Sequence, residues 1–198
     1  EDPVLSGTAS DCITLATNNS LYGFTIGNTG NFVGVNGNNF GLLTVEDMTI
    51  NGTGQTVLLN TGTLDVTFDS LTSTSCDGSS SGIQIQNVTA GTFDVTGGTS
   101  ISSCAVNGIL LQNNTLTANF GNLTLTSNGL YGLNSVNGGT IVANTTTVSG
   151  SADSGIAIQN HPATKPVTFG VTTVTQNSAG GAVILIGSGF NQAAAITF

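Results

Sequence analysis

Arginine and tryptophan are absent, and lysine occurs once, at Lys165, against ten acidic side chains for a net charge of −9. A nucleic-acid partner needs clustered cations to replace the counterions of the phosphates, so that class is excluded. Anionic lipid surfaces are excluded as direct partners for the same reason. Cysteine is sparse, with Cys12, Cys76 and Cys104 and no CxxC spacing, and His161 is the single histidine. A zinc centre is therefore excluded. No apolar run is long enough to cross a bilayer, and none reads as a secretory leader; Ala182 to Ile186 is typical of the longest. The chain reads as the mature part of an exported protein, extracellular or on a cell surface, with no direct membrane insertion. Charged residues make up only 6% of it, yet the aliphatics are too regular for a disordered linker.

What is present is a repeat. Eight triplets set an aliphatic between small, mostly hydroxyl-bearing neighbours, centred on Ile26, Ile50, Leu71, Ile101, Leu125, Val148, Val174 and Ile196. Their spacing runs from about 21 to about 30 residues and clusters near 24, a period that marks stacked supersecondary units. A second landmark follows in mid-chain: Gly82-Ile83-Gln84-Ile85-Gln86-Asn87, Gly108-Ile109-Leu110-Leu111-Gln112-Asn113, Gly132-Leu133-Asn134-Ser135-Val136-Asn137 and Gly155-Ile156-Ala157-Ile158-Gln159-Asn160, with a degenerate copy at Gly181-Ala182-Val183-Ile184. Aliphatics alternate within each copy, as on one face of a strand. Phe68, Phe93, Phe120 and Phe169 mark a third strand per repeat.

Strands this short must pair with their counterparts in the next repeat, so the sheets run parallel along the stack. The expected fold is all-β, a single-stranded right-handed parallel β-helix (β-solenoid) of about 7–8 coils of roughly 24 residues. One domain spans 1–198, with 1–12 as an N-terminal lead-in and 13–198 as coils. The triplet aliphatics are expected to form one continuous inward stack about 4.8 Å apart. Asn87, Asn113, Asn137 and Asn160 are expected to form a turn ladder joined amide to amide. Cys76 and Cys104 fall in equivalent turns of neighbouring coils and are read either as a disulfide or as two stacked small residues. The segment from Gly27 to Phe40, rich in Gly and Asn, is expected to be an irregular turn or coil, with further long turns at Thr72 to Ser81 and His161 to Pro166. The end at Ala195-Ile196-Thr197-Phe198 carries no polar cap, which suggests an open coil that another copy, or more of the same solenoid, would cover.

Catalysis on acidic polysaccharides by a β-helix requires basic residues or clustered aspartates with histidine, and neither set is available. No catalytic residue and no cofactor is expected. Asp65 and Asp94 are placed at matching positions of adjacent coils, and with Asp69 they form the candidate set for a Ca²⁺ ion. His161 sits in a Pro-containing polar turn beside Lys165, with no carboxylate or nucleophile placed next to it by the sequence. The flanking triplet residues form two outward hydroxyl files, and Thr25, Thr49, Thr72, Thr124, Thr126, Thr147, Thr173 and Thr175 are the candidate binding ladder. Such Thr-x-Thr files resemble the faces of β-solenoid ice-binding proteins.

The run Val174-Thr175-Gln176-Asn177-Ser178-Ala179-Gly180-Gly181-Ala182-Val183 resembles the FxxN and GGAI repeat pair of chlamydial-type polymorphic outer membrane proteins. Weaker echoes are Leu125-Thr126-Ser127-Asn128 before Gly132 and Ile101-Ser102-Ser103-Cys104 before Gly108. An aliphatic stands in place of the Phe throughout. The resemblance implies an exported adhesin or scaffold passenger built as a β-helix. The expected function is accordingly a non-enzymatic extracellular adhesin or structural scaffold, whose partners are further copies of itself or a surface protein or glycan. The alternatives are an ice-binding solenoid and a carbohydrate-active lyase or hydrolase.

Overall fold

The computed structural model describes residues 2–76, 80–175, 177–178, 181–186 and 196–197, with the backbone alone of 183–186 and 196–197. Asp77, Gly78, Gln176, Ala179, Gly180, Ala195 and Phe198 lie outside these. Fifteen strands form one continuous parallel system and no helix occurs among the described residues. The fold is a parallel β-solenoid of about seven turns. Each coil lays down three faces, because one coil is too narrow to pair with itself and must bond to the coils above and below.

The Gly-Ile face is built from residues 33–38, 55–60, Ile109–Gln112, Leu133–Val136, Ser154–Gln159 and Gly181–Ile186, with 83–86 between the second and third of these. The Phe face follows it, and the Thr face, which carries the triplets, closes the coil. Gly27 to Phe40, expected to be irregular, turns over 27–32 and then enters the long strand Val33–Gly52. The segment expected as a lead-in already contributes a strand, since Val4–Leu5 pairs with Thr25 and Ile26.

The Gly-Ile and Phe faces pass through one corner in every coil, at Asn39, Thr61, Asn87, Asn113, Asn137 and Asn160, all left-handed with φ between 49° and 60°. Asparagine tolerates this region better than most residues, which explains the recurring Asn at the end of the second landmark. The amide-to-amide bonds at this corner run from Asn60 Nδ2 to Asn38 Oδ1 (2.9 Å) and from Asn87 Nδ2 to Asn60 Oδ1 (2.8 Å). Asn137 Oδ1 instead accepts from Lys165 Nζ at 3.2 Å. The column is thus held by backbone conformation more than by a continuous amide ladder.

Phenylalanines fill the core from the Phe face. Phe93 pairs in register with Val66 and Ala118, whereas Phe120 pairs with Val95 and Ala143. Rings therefore step diagonally from one inward position to the other, with Phe68 and Phe93 centroids 5.8 Å apart and Phe93 and Phe120 6.2 Å apart. A straight file of rings would overfill coils spaced about 4.8 Å apart. Each ring is almost wholly buried and contributes about 2–3 kcal/mol of apolar burial.

The two sequence landmarks interlock across each coil. A Cβ on Gly82 would lie 2.2 Å from Ile101 Cγ2; on Gly132, 2.3 Å from Val148 Cγ1; on Gly155, 2.2 Å from Val174 Cγ1. The glycine opening a coil thus makes room for the triplet aliphatic that closes it. The same Cβ positions would press on the next coil's backbone, at 2.9 Å from Gly108 O, 2.7 Å from Gly155 O and 2.7 Å from Ala182 O.

The expected continuous triplet stack is corrected at one point. Ile26, Ile50 and Leu71 are in register, and so are Ile101, Leu125, Val148 and Val174, but Leu71 pairs with Thr99 and Ser73 pairs with Ile101. The strand slips by two residues, which preserves its inward face. The coil that slips carries Thr56 where the next carries Gly82, and Ser73 where the next carries Ile101. The small side chain has moved from one wall to the other. Both Thr56 and Ser73 are buried, with Thr56 Oγ1 donating to Gly82 O (2.8 Å) and Ser73 Oγ to Gly54 O (2.6 Å).

Candidate functional site

The slip rearranges the candidate hydroxyl ladder. The longest outward file runs Asn51, Thr72, Ser100, Thr124, Thr147 and Thr173, passing from the second triplet column to the first. Thr25 and Thr49 belong to a separate short file with Ser70, and Ser102, Thr126, Ser149 and Thr175 make a third. Thr124, Thr147 and Thr173 are exposed. Over the last three coils Asn122, Thr145 and Val171 add a further file beside them, so the outer face widens to three side chains. Thr145 Oγ1 donates to Asn122 Oδ1 at 2.6 Å, tying two coils on the surface.

Directly behind this face lie two buried threonines, Thr99 and Thr146, whose hydroxyls have no hydrogen-bond partner. The Gly-Ile face, by contrast, turns amides outward, with Gln84 Nε2 donating to Gln86 Oε1 (2.9 Å), Gln86 Nε2 to Gln112 Oε1 (2.6 Å) and Gln159 Nε2 to Asn134 Oδ1 (2.8 Å). Paired in this way, the amides satisfy one another.

Asp65 and Asp94 do not occupy matching positions. Asp65 stands opposite Thr92 and Asp94 opposite Thr67, two residues apart along the strand. Asp94 Oδ1 accepts from Asn119 Nδ2 at 2.6 Å, and the backbone carbonyl of Asp69 accepts from Gly97 N at 2.9 Å. No group of three or more His, Cys, Asp or Glu side chains gathers among the described residues. Asp65, Asp69 and Asp94 therefore do not form a calcium cage.

Cys76 and Cys104 are joined by a disulfide across two coils, 28 residues apart in sequence. Closing a loop of that length contributes about 3.6 kcal/mol in the chain-entropy account. Cys12 is a free, partly buried thiol whose pKa is raised by burial.

His161 meets a residue that the sequence did not single out. Ser135 occupies an inward position between Leu111 and Ile158 of the neighbouring coils and lies wholly buried, with its Oγ 2.7 Å from His161 Nε2. The backbone N–H of Gly138 donates to the same Nε2 at 3.2 Å, so that nitrogen carries the lone pair and the ring is neutral with its proton on Nδ1. Burial lowers the imidazole pKa, with Lys165 exerting smaller opposed effects. Lys165 Nζ reaches back to Asn114 O (2.6 Å), which pins the 160–166 turn across two coils, and burial lowers its pKa. A serine closed off from solvent cannot serve as a nucleophile towards an external substrate. The contact instead satisfies a polar group in the core.

No family model matches the chain, and no curated protein or solved structure matches it significantly. The functional reading therefore rests on the faces themselves.

A hollow of about 400 Å³ lies at the corner between the Phe and Thr faces, lined by Asp94, Thr96, Asn119, Gly121, Val142 and Asn144 together with the walls of Val95 and Phe120. Nothing in the repeat pattern announces it. It arises where Thr96 and Gly97 of one coil oppose the single residue Gly121 of the next.

Proposed function

We propose that the protein is a non-enzymatic extracellular or cell-surface scaffold of adhesin type, presenting a neutral hydroxyl and amide surface and stacking end to end with further copies. The observation that carries this reading is the outward file Thr72, Ser100, Thr124, Thr147 and Thr173, held by parallel pairing in coil-to-coil register. Repeated neutral groups on a stiff lattice suit many weak contacts made together, in which avidity replaces a single deep pocket. The disulfide fits an oxidising compartment. The likeness of the last half of the chain to polymorphic outer membrane protein repeats supports the same reading.

A second reading, ice binding, is favoured by the same file, because its rungs repeat at the strand spacing of about 4.8 Å. One pair of experiments separates them. Electron microscopy and sedimentation of the purified chain are expected to show end-to-end filaments, and ice-crystal morphology is expected to be unaltered. Crystal shaping that disappears in Thr124→Tyr or Thr147→Tyr would replace the scaffold reading with ice binding. Hydrolysis or elimination of a neutral glycan that is lost in Asp94→Ala would replace it with an enzyme.

A further inference from the structure

The corner hollow is open for a physical reason. A Cβ on Gly121 would stand 2.6 Å from Gly97 O and 2.8 Å from Thr96 O, and one on Gly170, at the same corner two coils on, 2.1 Å from Asn144 O. The neighbouring backbone excludes a side chain at Gly121, so none fills the corner from that position. The insertion of Thr96-Gly97 opposite Gly121 is a β-bulge, which bends the coil and widens the gap.

The lining has a definite chemistry. Asp94, Asn119 and Val142 form one outward file in register, and Asn144 faces them across the corner. The Asp94 to Asn119 bond uses Asp94 Oδ1 and Asn119 Nδ2, leaving Asp94 Oδ2 and Asn119 Oδ1 as acceptors and the Asn144 carboxamide as both donor and acceptor. Val142 supplies an apolar patch between them. Anionic ligands are disfavoured, because the net charge is −9 and the one lysine is held at Asn114 and Asn137. A divalent cation is disfavoured by the presence of a single carboxylate. A neutral pyranose satisfies both constraints, since it offers vicinal hydroxyls to a carboxylate and amides and a C–H face to valine.

We propose that this hollow is a binding subsite for one residue of a neutral saccharide, held by Asp94, Asn119 and Asn144 over Val142. The inference rests on the reading of the protein as a binding scaffold and names a ligand class for it. One sugar ring of this size on an open surface binds weakly, with Kd of about 1 mM.

The test is two-dimensional amide NMR of the full chain, titrated separately with the neutral methyl glycosides of glucose, mannose and galactose, with N-acetylglucosamine, with galacturonate and with calcium chloride. At least one neutral sugar is expected to shift the side-chain amides of Asn119 and Asn144 saturably. Asp94→Ala and Asn144→Ala, both at the surface, are expected to weaken binding at least about 10-fold, whereas the exposed Asp65→Ala leaves it unchanged. A response to calcium or galacturonate with none to the neutral sugars overturns the proposal, as does the absence of any response at these amides. Neutral sugars that shift only Thr-face resonances overturn the subsite while leaving the scaffold reading intact; filaments seen alongside silent titrations do the same.

Discussion

The Gly-Ile face and the Thr face absorb uneven coil lengths in opposite ways. On the Gly-Ile face the spacing between equivalent residues changes from coil to coil, yet Val57, Ile83, Ile109, Leu133 and Ile156 stay aligned, and insertions go into the turns. On the Thr face the triplet centres Leu71 and Ile101 stand two positions out of register, with Leu71 opposite Thr99. The difference follows from what locks each register. A glycine at the start of the Gly-Ile strand touches both a triplet side chain and the next coil's backbone, so a slip would drive a Cβ into a carbonyl. The Thr face has alternating small residues inside, and an exchange of Thr56 and Ser73 for Gly82 and Ile101 accommodates the slip.

The contrast is broken most directly by Gly132→Ala. A Cβ there meets Val148 Cγ1 at 2.3 Å and Gly155 O at 2.7 Å, and the expected loss is about 3 kcal/mol in urea denaturation. Adding Val148→Ala is expected to recover none of the backbone clash; a full recovery would show that side-chain crowding alone locks the face. Thr124→Ala on the outer Thr face should fall within about 0.5 kcal/mol of the parent.

A gain is expected from the inner side of the Thr face. Thr99→Val and Thr146→Val each remove a buried hydroxyl with no partner and keep the branched shape, so each should stabilise by about 1 kcal/mol. Destabilisation by either would mean that its hydroxyl has a partner.

A pH-dependent effect concerns Ser135, a buried polar residue of the Gly-Ile face, and its contact with His161. Burial lowers the folded His161 pKa from an unfolded value near 6.5. Above that pH both states hold a neutral ring and the contact contributes in full. As pH falls through 6.5 towards the folded value, the unfolded chain takes up the proton first and stability is lost. The loss is set by the gap that burial opens between the folded and unfolded values. Melting curves at about pH 7.5 and about pH 5 should show it in the parent and not in His161→Gln; an equal pH response in both would assign it to the carboxylates.

Much of the fold was legible because one period governs it. Ile83, Ile85 and Phe93 announce inward positions by alternation, and Asn87 announces a corner by its tolerance of positive φ. Register within a face was less legible. Asp65 and Asp94 sit in look-alike contexts, Leu-Asp-Val and Phe-Asp-Val, but Asp65 pairs with Thr92 and Asp94 with Thr67, which separates them by two positions. Local pattern has the same appearance at either alignment, since a shift of two preserves the inward and outward sides. The pairing of Ser135 with His161 was hidden for a different reason: the two residues are 26 apart in sequence and meet only because coils stack.

Sequence alone determined that this chain winds into stacked parallel coils, since short alternating strands at a repeating interval have no other way to satisfy their backbone groups. It also determined a sparsely charged, net acidic composition, through a single lysine against ten carboxylates. The tertiary structure decided which residues stand above which. It moved the hydroxyl file onto Thr72, Ser100, Thr124, Thr147 and Thr173, dissolved the aspartate set, and opened the hollow at Gly121. Each of these depends on where an extra residue is accommodated, and that is settled by contacts between coils about 24 residues apart.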